Sequence, residues 1–96
     1  MMRRDGTRAV VSGPATLADA RSLLEEGRAQ LKSGVRAIDL AGVTELDSSL
    51  LAVLLAWQRE ARAENVTLAI EGLPEGLVTI ARLYGVEEIL SGGAQH

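Results

Sequence analysis

The sequence predicts an α/β domain with the element order β-β-α-β-α-β-α, and three observations carry that expectation. The chain has 96 residues, the length of one domain with one core. Runs rich in β-branched and aliphatic residues, at 35–40 and 66–70, alternate with stretches whose apolar residues recur at helical spacing. Gly and Pro stand between the runs as punctuation. Strands that alternate with helices imply a mixed or largely parallel sheet. Sites in such folds gather at the carboxyl ends of strands.

Local chemistry places each element. Asp5-Gly6 is a tight-turn dipeptide that joins a strand over 1–4 to a second over 8–12. Gly13-Pro14 then breaks the extended run. Thr16 is a good N-cap, with Asp19 three residues on in a near capping box. Behind it Leu17, Ala20, Leu24, Gly27 and Leu31 repeat at helical spacing, which predicts an amphipathic helix over one sheet face. Gly34 closes that helix as its C′ residue. Residues 35–40 form the next strand. A second helix runs from Ser48 to Ala63 and ends before Asn65. Residues 66–70 are again a strand. Leu73-Pro74-Glu75 opens a third helix, with Pro suited to N1 and Glu to the first turn. Leu77, Ile80, Ala81 and Tyr84 line one of its faces, and Gly85 ends it. Residues 86–90 form a last short helix or extended segment. Residues 1–90 thus make up the domain, and 91–96 read as a flexible tail.

Composition narrows the function. The core residues are Leu, Val, Ile and Ala, with no Phe, one Tyr and one Trp. Net charge is −3 with mixed signs, which argues against nucleic-acid binding. Arg3, Arg4 and Arg8 are too few for a basic arm. Cysteine is absent, so there is no disulfide and no thiolate nucleophile. The first residues lack the apolar stretch of a secretory signal, and the run from Leu50 to Trp57 is far short of a membrane span. A cytoplasmic protein with no membrane insertion of its own is expected. An enzyme is not: the only His is terminal, no glycine loop cradles phosphate, and no His/carboxylate cluster offers a metal site. No catalytic residue, metal or cofactor is assigned.

The most informative stretch is Ile38-Asp39-Leu40-Ala41-Gly42-Val43-Thr44-Glu45-Leu46-Asp47-Ser48-Ser49-Leu50-Leu51. It reads as a buried strand, a short polar loop, then an acid and two hydroxyls at the mouth of an apolar helix. A helix N-terminus exposes unpaired N–H groups and a partial positive charge. Hydroxyls there can cap the helix, accept a phosphate or face a partner. The helix behind them carries more apolar surface than one sheet face needs. Leu51, Leu54, Leu55 and Gln58 cluster on one side, and Leu50, Val53 and Trp57 form a second stripe, together roughly 200° against the ~100° of a surface helix. The arc is either all core, or leaves Leu50 and Trp57 partly exposed as a protein interface.

These residues resemble the STAS domain shared by anti-sigma factor antagonists and the cytoplasmic tails of sulfate transporters. The likeness centres on Ile38–Val43, Leu46-Asp47-Ser48 and Leu51, and covers nearly the whole chain. Within that family the chain is most similar to the small STAS subunit of Mla-type phospholipid ABC transporters. Thr79-Ile80-Ala81-Arg82-Leu83-Tyr84-Gly85-Val86 looks like that subunit's C-terminal helix, and Asp5 to Gly13 like its opening hairpin. The resemblance implies a mixed sheet with helices mainly on one face, and a protein-binding role without catalysis. In sigma-control members the hydroxyl at the Ser48 position is phosphorylated by a partner kinase; in transporter members it lies at the contact with the ATPase subunit. The family usually has Gly two residues after that hydroxyl. Here the position is Leu50, which hinders close backbone approach and adds an apolar side chain near the docking surface.

The resulting expectation is a regulatory or assembly subunit that binds and supports the ATPase of a phospholipid ABC transporter, peripheral to the inner membrane through that partner. Its binding residues would be Asp47, Ser48, Ser49, Leu50, Trp57, Thr79 and Tyr84, with Asp47 capping the helix and orienting the Ser48 hydroxyl. Tyr84 is expected half-buried with a wet hydroxyl. The alternative is an anti-sigma factor antagonist, partnered by an anti-sigma factor that is a serine kinase and switched by phosphate on Ser48, which adds about −2 charge. A homodimer through the Trp57 stripe is a third possibility.

Overall fold

The computed structural model describes residues 1–90. Its elements in chain order are β1 (Met2–Asp5), β2 (Arg8–Ala15), a 3-10 turn (Leu17–Asp19), α1 (Ala20–Lys32), β3 (Ala37–Leu46), α2 (Ser48–Ala63), β4 (Ala69–Glu71), α3 (Glu75–Tyr84) and α4 (Glu87–Leu90). The sheet order is β1-β2-β3-β4. β1 and β2 form an antiparallel hairpin, and β3 and β4 join it in parallel, so the sheet is mixed as expected. The tail assigned to 91–96 lies outside the described residues.

One face of the sheet is covered. Ala9 and Val11 of β2, Ile38 and Leu40 of β3 and Ile70 of β4 are buried in one cluster with Leu23, Leu54, Trp57 and Leu77 from the helices. Their neighbours on the strands, Arg8, Val10, Asp39 and Glu71, face the other way, fully or partly exposed. An ion pair of 2.9 Å joins Arg8 to Glu71 across that open face. Alternation along each strand produces the two faces.

Several boundaries differ from the sequence reading. β2 does not stop at Gly13-Pro14; it runs on to Ala15. β1 begins at Met2 opposite Val11, and Met1 before it bonds Ser12, so beyond Ser12 the outer edge of β2 is free and proline's missing N–H removes no ladder bond. Irregular register between Val10 and Ser12, and again between Gly13 and Pro14, absorbs the bend. β3 likewise takes in the stretch read as a polar loop and leads straight to Asp47. It is held there by pairing with the extended β2, Glu45 opposite Pro14 and Leu46 opposite Ala15. β4 is short, three residues set opposite Ala37, Ile38 and Asp39.

The helices follow their caps. The Asp19 carboxylate accepts from the Thr16 N–H at 3.0 Å and from its hydroxyl at 3.2 Å, but the first turn is 3-10 and the α-helix starts at Ala20. Leu23, Gly27 and Leu31 are its buried residues, while Leu17 is 74% exposed. Ser33 caps α1, and Gly34 follows at φ 105. α2 has the expected bounds and ends before Asn65 at φ 59. Pro74 is the N-cap of α3 rather than its first residue, and left-handed Gly85 ends it.

α1 and α2 pack closely because position 27 has no side chain. A Cβ on Gly27 would lie 2.1 Å from the Trp57 ring. The indole occupies that space and donates Nε1–H to the Leu24 carbonyl at 3.1 Å. Gln58, also buried, donates to the Leu68 carbonyl at 3.0 Å and so ties α2 to the chain entering β4. Among the described residues no buried side-chain polar atom lacks a partner.

Candidate functional site

The site forms where β3 feeds α2. Asp47 is extended (φ −146) and caps the helix. One carboxylate oxygen accepts from the Ser49 N–H at 2.9 Å and from the Ser49 hydroxyl. The other accepts from the Leu17 N–H at 3.0 Å. Asp47 therefore caps α2 and fastens the 3-10 turn, thirty residues earlier, to its mouth. The Ser49 hydroxyl and the N–H groups of Leu17 and Ser49 hold this carboxyl below the usual aspartate range.

Here one expectation is corrected. Asp47 does not orient the Ser48 hydroxyl; it holds the Ser49 hydroxyl instead. A cap carboxylate faces the second and third residues of its helix, not the first. Ser48 is exposed, and its hydroxyl has no hydrogen bond among the described residues. It stands free on the first turn, at the positive end of α2.

The remaining candidates separate by position. Thr79 is exposed on α3, its hydroxyl donating to the Glu75 carbonyl at 3.2 Å. The amino end of α3 lies beside the end of β3, since a Cβ on Gly76 would be 3.8 Å from the Leu46 side chain. Thr79 is thus one turn from the Asp47 end of the molecule. Of the two readings left open for Leu50 and Trp57, core or partly exposed interface, the structure has the first: they are 1% and 0% exposed. Neither adds an apolar side chain to the surface. The wide apolar arc of α2 is filled because α1 covers one flank and α3 and α4 the other. Tyr84 is corrected in the opposite sense: it is 65% exposed rather than half-buried, beside Leu83 at 77%. It shares the phase of Leu77 and Ala81 but is the last residue of α3, and buried Leu90 of α4 packs at Ala81 instead.

The structure therefore brings Asp47, Ser48 and Ser49 together, sets Thr79 nearby, and removes Leu50 and Trp57 to the interior. Sequence reading missed Leu17 as the neighbour that Asp47 holds. Its signal was only a Leu at the first position after the Thr16 cap, one that the helical repeat through Ala20, Leu24 and Leu31 had absorbed. No cluster of metal-binding side chains occurs among the described residues. No helix among them is long and apolar enough to cross a membrane.

The cap has a measurable consequence. Because the Asp47 carboxyl is depressed in the fold, its contribution is fully present above the ordinary aspartate range and is lost as pH falls through the lowered value. Asp47→Asn, which keeps a cap oxygen, should melt below wild type at neutral pH, and Asp47→Ala lower still. The gap between wild type and Asp47→Asn should close in acid. Melting curves at neutral and acid pH test this; a gap that persists in acid would show that charge is not its source.

Residues 2–91 match the family model described as "Mlab, STAS domain". Among solved structures the fold is similar to the anti-sigma factor antagonist SpoIIAA in its unphosphorylated form, with TM-score 0.65 and 11% identity over 86% of this chain and 81% of that one. At that identity the likeness speaks for the fold alone. No curated protein matches the sequence.

Proposed function

The chain belongs to the STAS-domain family in its Mlab class, and from that premise we propose that it is a non-catalytic subunit that binds and supports the ATPase of a phospholipid ABC transporter. The observation that carries the reading is Ser48: a free, exposed hydroxyl at the amino end of a helix whose first turn is held rigid by Asp47. A partner meeting that end finds an oriented donor and acceptor together with the helix's positive pole. The core behind it, with Trp57 locked on Gly27, keeps α2 from shifting under load. ATP would be bound by the partner. Thr79 extends the contact to α3. Asp47 and Ser49 set the geometry, and Leu50 and Trp57 support it from beneath. Tyr84 lies at the far end of α3 and would belong to a separate contact. Through its partner the chain would sit at the cytoplasmic face of the inner membrane.

The test is co-expression with the ABC ATPase encoded in the same genome, followed by purification and measurement of ATP turnover. Wild type should co-purify and raise turnover, with Ser48 unmodified by intact mass. Ser48→Ala should keep the melting temperature within a few degrees, because Asp47 and not Ser48 caps the helix, and should lower the stimulated turnover several-fold. Recovery of a serine kinase with phosphate on Ser48, and no ATPase complex, would overturn the reading in favour of an anti-sigma factor antagonist.

A further inference from the structure

The helix layer carries an open groove next to Ser48. It encloses about 330 Å³ between the 3-10 turn with α1 on one side and α2 on the other. Leu17, Ala20 and Leu24 form one wall, Ala52, Val53 and Ala56 the other, and Ser49 stands at its mouth. From Ser49 to Ala56 the groove is about two helical turns, ~10 Å, long. One turn farther the Arg28–Glu60 ion pair bridges α1 and α2 at 3.5 Å and closes it. That space takes one or two side chains, not the flank of a whole helix. Leu17 overhangs as a lip, and Asp47, through the Leu17 N–H, sets where that lip stands.

The groove has one charged lining residue, Arg21. Its guanidinium is exposed and has no ion pair or hydrogen bond among the described residues. The opposite wall is alanine and valine, with no carboxylate to meet it. An occupant that satisfies both features is apolar where it enters and acidic where it passes Arg21. We propose that the groove receives a bulky aliphatic or aromatic side chain from the partner polypeptide, with an Asp or Glu of the same segment, one helical turn away, on Arg21. This rests on the Ser48 end being a docking surface, and names the chemistry that docks there.

The test uses the purified chain and a random peptide library displayed on phage, so it needs no transporter component. Enriched peptides should share a bulky apolar residue with an acidic residue one turn away. Binding of such a synthetic peptide should fall more than tenfold with Ala52→Trp, which fills the groove from an exposed position, and about tenfold with Arg21→Glu. Its affinity should drop with added salt on wild type and not on Arg21→Glu. Melting curves confirm that both variants fold, and if one does not the other still decides. Enrichment without the acid, unchanged binding to Ala52→Trp, or no enrichment would overturn the proposal. So would a wild-type dimer that Ala52→Trp turns into monomer, which would make a second copy the occupant. Absence of an ATPase complex, with peptide binding intact, would sink the proposed function and leave the groove assignment standing.

Discussion

Trp57→Ala is expected to cost the domain roughly 3–5 kcal/mol, the range for removing a large aromatic from a packed core. Trp57 is fully buried, and its Nε1–H satisfies the Leu24 carbonyl. Truncation leaves a void between α1 and α2 and an acceptor that needs water. Domains of this size have about 5–15 kcal/mol to lose, and each kcal/mol shifts the melting temperature by about 4–8 °C. The variant should therefore melt about 15–30 °C lower, or fail to fold at ambient temperature. Urea unfolding followed by circular dichroism measures it. Trp57→Phe is the companion: it keeps most of the packing, loses the hydrogen bond, and should fall well short of the alanine loss. A near-normal Trp57→Ala melt would contradict the core placement.

Gly27→Ala should be nearly as informative because its sign is opposite to the general rule. In an exposed helix interior, alanine in place of glycine gains about 1 kcal/mol. Here the new methyl would lie 2.1–2.4 Å from three atoms of the Trp57 ring, a ring enclosed by core on its other sides. Overpacking of that kind costs about 1–3 kcal/mol and sometimes more. The net expectation is a melting temperature lower by roughly 10 °C, with a changed near-ultraviolet signal from the single tryptophan. The two positions should also couple. In a Trp57→Phe background the smaller ring leaves space, and Gly27→Ala should be far less harmful. A Gly27→Ala protein more stable than wild type would show that α1 and α2 can separate freely.

These two residues mark where sequence reading fell short. Trp57 lay on a stripe read either as core or as interface, because periodicity reports which residues share a face and not what covers that face. The decision needed the partner across the groove. Gly27 already stood in the helical repeat of α1, and only the fold shows that its missing side chain is the seat of the indole. The same limit explains Tyr84, which has the phase of buried Leu77 and Ala81 but is the last residue of its helix and 65% exposed. Likewise Gly13-Pro14 reads locally as a break, and becomes part of a strand because the neighbouring edge of β2 is empty there. Asp47 illustrates the reverse: its role as cap of α2 was legible from a three-residue pattern, since capping is local chemistry. Its hold on Leu17, thirty residues away, was not.

The sequence by itself therefore determined the order of elements, the ends of α2 with its Asp47 cap, the single and largely aliphatic core, and the Asp47-Ser48 motif at a helix mouth. Each of these follows from backbone preferences and periodicity within a few residues. Tertiary structure alone decided which apolar residues face a neighbour, which hydroxyl Asp47 holds, how far β2 and β3 extend, and that a groove with Arg21 on its rim opens beside Ser48. Those outcomes depend on close packing between segments distant in the chain, and packing selects among faces that local pattern leaves equivalent.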